Sequence, residues 1–145
     1  MGTKPFISKA DQSTIVKAIE SAELNTSGEI RVHIESNCPG DPVARAVYVF
    51  NKLKMYKTKE RNGVLIYIAW KTRKFSIIGD DGINKVVPEN FWQDALNLLG
   101  ENLKSGNTAQ GLCKTIELAG EKLKVFFPIK SDDTDEQSNE ISFGD

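Results

Sequence analysis

The run Gly63-Val64-Leu65-Ile66-Tyr67-Ile68-Ala69-Trp70 is apolar without alternation. A strand with this pattern is covered on both faces, so the chain must place a layer on each side of its sheet. The earlier segment Ser27–Glu35 behaves differently. It alternates strictly, with Ile30, Val32 and Ile34 on one face and Glu29, Arg31, His33 and Glu35 on the other, the pattern of a strand with one polar face. Between the two lies Asp41-Pro42, an N-cap residue followed by a proline suited to the first helical position. Val43, Ala46, Val47, Phe50 and Leu53 supply that helix with an apolar stripe. Strand, helix and strand in this order predict a parallel pair joined by a right-handed crossover. Lys71-Thr72 then leads almost directly into Lys74-Phe75-Ser76-Ile77-Ile78. So short a connection requires a hairpin, and the third strand runs antiparallel to the second.

The ends of the chain read as helix. Ser8 with Asp11 marks a start, and Ile15, Ile19 and Ala22 follow at helical spacing, predicting a helix over about 8–24. Pro88 can open another, carrying Phe91, Trp92, Ala95, Leu96, Leu99 and Leu103, with Phe91 and Trp92 read as core. Gly106 stops it, and Asn107 caps a last helix with Leu112, Ile116, Ala119 and Leu123 on one face. The order is α-β-α-β-β-α-α, an α/β class. Phe126-Phe127-Pro128 closes one domain over residues 1–128, and the polar, acidic segment 129–145 is expected to be largely disordered.

Composition removes several function classes. A chain of 145 residues can bury a full core without disulfides or metals. A structural zinc site would need Cys38, Cys113, the single histidine and a carboxylate together, so the cysteines are read as two buried thiols. No apolar run approaches the ~20 residues of a membrane helix, and Met1–Asp11 has no apolar signal region, which predicts a cytoplasmic protein with no membrane segment. Segment 129–145 holds six acids against Lys130, which leaves residues 1–128 with 18 bases and 14 acids, a net +4. Those bases are scattered and form no stripe, so nucleic acid is not an expected partner. The glycine-rich phosphate loops are absent.

Topology then selects a site. If the third strand runs back, its end lies where the first two strands begin. Asn25–Glu29, Lys59–Gly63 and Gly79–Asn84 converge there. Adjacent acids such as Asp80 and Asp81 repel unless something positive compensates them. With Glu29, Thr26 and Asn62 as neighbouring oxygen donors, a hard cation, calcium or magnesium, is one candidate ligand. Arg31 and Arg61 offer the other solution, pairing with the acids or holding an anion. Asp-Gly is also ordinary turn chemistry. His33 is read as a strand residue rather than a general base, since no serine or cysteine can be placed against it. Asp132-Asp133-Thr134-Asp135 lacks the spacing, glycine and final glutamate of a calcium loop, and is read as a solvated tail.

Ser27-Gly28-Glu29-Ile30-Arg31-Val32, Asn62-Gly63-Val64-Leu65-Ile66-Tyr67 and Ile78-Gly79-Asp80-Asp81-Gly82-Ile83, with Gly106-Asn107-Thr108, Gly111 and Phe126-Phe127-Pro128, together resemble the TPM domain family. That family includes a thylakoid-lumen protein, a photosystem repair protein and an acetylcholine-receptor modulator, and the match looks close to a small stand-alone bacterial form. The resemblance implies a three-layer α/β/α sandwich with a mixed sheet of about four strands, one more than the pattern supplies. It also implies calcium or magnesium binding by acidic loop residues. On this chain Asp80 and Asp81 would be the chief ligands, with Glu29, Thr26 and Asn62 assisting. Acid phosphatase activity is attributed to some members. The alternatives are therefore a weak metal-dependent phosphatase, with Arg31 or Arg61 holding phosphate, or a cation-regulated protein-interaction module. Many relatives carry a signal peptide and a membrane anchor, and neither is visible here.

Overall fold

A computed structural model describes residues 7–129 and 139–144. Ser8 starts the first helix, α1 (Lys9–Glu23), its hydroxyl accepting the Asp11 amide at 3.0 Å. Next come β1 (Glu29–Glu35) and α2 (Pro42–Lys52), the latter capped by the Asp41 carboxylate on the Ala44 amide at 2.9 Å. β2 (Gly63–Ala69) and β3 (Lys74–Gly79) follow, then a one-turn helix α3 (Asp81–Asn84). The chain continues through α4 (Gln93–Lys104), α5 (Thr108–Phe126) and β4 (Ser142–Phe143). The strand order is β3-β2-β1-β4. β1 is parallel to both β2 and β4, and β3 is antiparallel to β2, giving a mixed sheet of four strands.

The alternation of β1 sets the layers. Ile30, Val32 and Ile34 join Val64, Ile66 and Ile68 of β2 in a core with Ile15 and Ile19 of α1, Leu99 of α4 and Leu112, Ile116 and Leu123 of α5. On the other face, Leu65, Tyr67 and Ala69 pack with Ala46, Val49 and Phe50 of α2 and with Met55. Every residue of β2 is thus buried, as its unbroken apolar run requires. The result is an α/β/α sandwich. α2 lies over β2 and β3 and leaves β1 to be covered otherwise. Glu29, His33 and Glu35 on that face of β1 are nonetheless buried.

Five expectations need correction. The fourth strand comes from the segment expected to be disordered: Ser142 pairs with His33, and Phe143 with Ile34. A strand of two residues has no period to detect, and the polar average around it masks Ile141 and Phe143. Residues 130–138, with the Asp132–Asp135 run, lie outside the described residues. The helix attributed to Pro88 begins at Gln93, because the Pro88 carbonyl closes a separate turn onto the Phe91 amide at 3.1 Å. Phe91 is core, but Trp92 is only half-buried. Asn107 sits at the start of α5 without a side-chain cap, contributing its carbonyl to the Gly111 amide at 2.8 Å. Cys38 is a buried thiol, whereas Cys113 is half-buried, and neither is bonded to the other. Among the described residues no helix is long and apolar enough to cross a membrane.

Gly82 locks α3 onto the chain before β2. Its amide donates to the Arg61 carbonyl at 2.9 Å, and a Cβ there would overlap the carbonyl oxygens of Glu60 and Arg61. Gly82→Ala should therefore cost about 1–3 kcal/mol in urea denaturation. Helix propensity alone would instead give a gain of up to ~1 kcal/mol, and unchanged or raised stability would contradict the interlock.

Candidate functional site

The expected convergence occurs in the backbone. The Asp80 amide donates to the Gly63 carbonyl at 2.9 Å, and the Glu29 amide to the Asn62 carbonyl at 3.3 Å. The Gly79–Gly82 segment is more than a turn. Asp80 is the N-cap of α3, its carboxylate accepting the Asp81 amide at 2.7 Å. Arg61 has a left-handed backbone (φ 52°), and its guanidinium grips Asp80 in fork geometry. Nε lies 2.7 Å from Oδ2 and Nη2 lies 2.9 Å from Oδ1. Asp81 Oδ2 is 3.6 Å from the same Nη2. The hydrogen bond to Asp80 raises the Arg61 pKa above its ordinary value. Of the two ways to compensate adjacent acids, this conformation uses the arginine. The Asp80 side chain is only 4 % exposed, whereas Asp81 is 73 % exposed.

Two of the three helper residues, Thr26 and Asn62, are engaged elsewhere. Thr26 Oγ1 donates to the Phe127 carbonyl and accepts the Gly28 amide at 3.1 Å. Asn62 Nδ2 donates to Ser27 Oγ at 3.3 Å, while its buried Oδ1 has no hydrogen-bond partner. Neighbouring strand residues point to opposite faces. A Cβ at Gly63 would meet Met55 and Phe50 on the α2 side, which turns Asn62 toward the α5 side. Asp80 and Asp81 instead line a groove of about 460 Å³ with Val43, Val47 and Phe50 of α2, Arg61 and Trp92, and neither Thr26, Glu29 nor Asn62 lines it. The five residues therefore share one end of the sheet without forming one coordination shell. Among the described residues, no group of three His, Cys, Asp or Glu side chains is placed to hold a metal ion. The donor chemistry of Asp80 and Asp81 suits a hard cation, but only Asp81 is open to it while Arg61 holds Asp80. The fit is thus limited to this pair.

A second polar cluster, not anticipated, lies at the other end of β1. Glu35 is 1 % exposed and accepts four hydrogen bonds. Arg45 Nε and Nη2 reach it at 2.8 and 3.0 Å, His33 Nε2 at 3.1 Å, and the Tyr67 hydroxyl completes the set. Burial by itself would raise the Glu35 pKa, but these donors outweigh it and bring the carboxyl from 4.5 to about 2. Burial pushes His33 below its ordinary value, partly offset by the hydrogen bond to Glu35. An ionised carboxylate only accepts, so Nε2 carries the imidazole proton and Nδ1 accepts from Ser142 Oγ at 3.0 Å. The expectation that no serine stands against His33 is overturned here, because Ser142 arrives on the unforeseen β4. The alternation did place Glu35 on a polar face, but nothing local marks that face as buried. A larger cavity of about 830 Å³ lies between the β2–β3 hairpin and α4. Apolar side chains such as Trp70, Phe75 and Leu96 line much of it, and it contains none of these site residues.

Comparison with known proteins gives a family and a fold. The family profile described as the TPM domain matches residues 3–122. The chain is similar to the BA42 protein of the psychrophilic bacterium Bizionia argentinensis, solved by NMR, at 48 % identity and a TM-score of 0.91 over 97 % of both chains. It shares its fold with the N-terminal domain of the cg2496 protein of Corynebacterium glutamicum, at 17 % identity and a TM-score of 0.63, over 97 % of this chain and 81 % of that one. No curated protein matches it.

The Glu35 cluster has a pH consequence. Its folded pKa is depressed to about 2 from 4.5. The stability it contributes is complete above the higher value and is lost as pH falls toward the lower. Thermal melts between pH 5 and pH 2 (about the span of the two values) should show a falling midpoint. Glu35→Gln should melt lower at neutral pH and lose less on acidification. Parallel acid limbs for the two proteins would contradict this assignment.

Proposed function

Because this chain belongs to the TPM domain family, we propose that it is a divalent-cation-binding protein whose ligand locus is the Asp80–Asp81 pair. The observation that carries this reading is the compensation at that pair. Two adjacent carboxylates sit at a groove mouth, one held by Arg61 and the other 73 % exposed. A bound calcium or magnesium ion would supply positive charge to both acids and take oxygen ligands there. Asp81 is the open entry, and Asp80 becomes available as Arg61 swings out, which its half-exposed side chain permits. The Glu29 amide on the Asn62 carbonyl joins two of the three segments, and the Thr26 hydroxyl ties the first of them to Phe127. With two carboxylates, the expected affinity is weak, on the order of 0.1–1 mM.

The interaction-module reading is favoured by one further observation. Val43 and Val47, 51 % and 45 % exposed, form the apolar wall of the same groove. A cation at Asp81 would change the charge at the rim of that wall. The phosphatase alternative has less support. Among the described residues no Ser, Thr, Cys or His lines the groove, and Arg61, offered to phosphate, is engaged by Asp80.

Titration with calcium or magnesium, followed by amide NMR, tests the proposal. Shifts should centre on Arg61, Asp81 and Gly82 and disappear in Asp81→Asn. No shifts, or shifts confined to the acids beyond Ile129, would refute it.

A further inference from the structure

The edge of β1 around His33 and Ile34 is held by a piece of chain with unusual specifications. β4 pairs through only two residues, fewer than an independent strand needs. What fixes it is a set of local contacts. The Ser142 hydroxyl meets His33 Nδ1 at 3.0 Å, and the Gly144 amide donates to the Ile34 carbonyl at 2.8 Å. A Cβ at Gly144 would stand 2.7 Å from Glu35 Oε1 and 2.9 Å from His33 Nε2. Phe143, between them, is 39 % exposed and weakly read. Main-chain pairing along an edge, with alternate side chains specified, is how sheets recognise extended peptides.

We propose that this edge of β1 is a recognition site for an extended Ser-x-Gly segment, which the chain fills with its own residues 142–144. The site exists independently of β4. Glu35 is fixed by Arg45 and Tyr67, which belong to α2 and β2, and it in turn orients His33. The stacked His33 and Tyr67 rings, 6.0 Å apart and 8° from parallel, hold the imidazole in place. The hydroxyl reader is thus rigid before the segment arrives. Neither cavity described above includes Ser142 or His33, so the Ser-His-Glu contact reads as recognition rather than catalysis. The same segment of a second copy presents the same chemistry and is the partner this edge would accept when its own segment is displaced.

The test uses the full chain carrying Gly144→Val and a synthetic peptide, Asn-Glu-Ile-Ser-Phe-Gly-Asp, identical to residues 139–145. In the variant, the residue 144 amide should lose the exchange protection it has in the wild type. Added peptide should then shift the His33 and Ile34 amides of the variant. It should leave the wild type unmoved at the same concentration, because a tethered segment competes at high effective concentration. A peptide with alanine for serine should bind about fivefold more weakly, the loss of one hydrogen bond. Retained protection in Gly144→Val, no shifts on adding peptide, or equal binding of the two peptides would overturn the proposal.

Discussion

The ion pair between Arg61 and Asp80 joins the entry of β2, the exit of β3 and the start of α3. Burying a carboxylate as deeply as Asp80 is costly without a charge partner and hydrogen bonds. Arg61 supplies both, and its own placement is fixed from two sides. Its amide donates to the Thr58 carbonyl at 3.2 Å, and its carbonyl accepts the Gly82 amide at 2.9 Å. Asp80 meanwhile caps α3 and extends the β2–β3 ladder through the Gly63 carbonyl. The groove between α2 and β3 takes its polar rim from this joint. Any ligand of Asp80 has to compete with a fork of two short hydrogen bonds, and Asp81 is the carboxylate outside that fork.

Glu35 repeats the same device at the opposite end of β1, with a different outcome. It too is held by both nitrogens of an arginine fork, but Tyr67 and His33 add two more donors. All its acceptor capacity is spent inside the fold. Such a cluster sets structure: it orients an imidazole and docks a terminal strand. At the other end Asp81 remains in solvent. The pairs share chemistry and differ in solvent access, and the proposed cation locus rests on that difference.

Much of this was legible in the sequence. The unbroken apolar run of β2 required two covering layers, and the alternation of β1 fixed which face met the larger core. Asp41-Pro42 marked the start of α2, and the hairpin after Thr72 placed Asp80 beside the entry of β2. Other features depend on three-dimensional placement. The two-residue β4 has no period, and its pairing is set by His33 and Glu35, far away in sequence. The turn proved to be a helix start because Asp80 accepts the next amide, a local choice that Asp shares with ordinary turns. Topology brought Thr26, Glu29 and Asn62 to the correct end of the sheet. It did not decide the faces: Asn62 follows the pleat to the side opposite Gly63, and Thr26 is tied to Phe127. The arginine solution to the paired acids was readable as an alternative, but choosing it required the reach that a left-handed Arg61 provides.

The claim that a cation and the Arg61 guanidinium compete for the same acids is tested most directly by comparing calcium and magnesium affinities of Arg61→Gln and the wild type by calorimetry. Binding should be tighter in the variant, because Asp80 and Asp81 then lack their compensating charge. Equal or weaker affinity in the variant would contradict it.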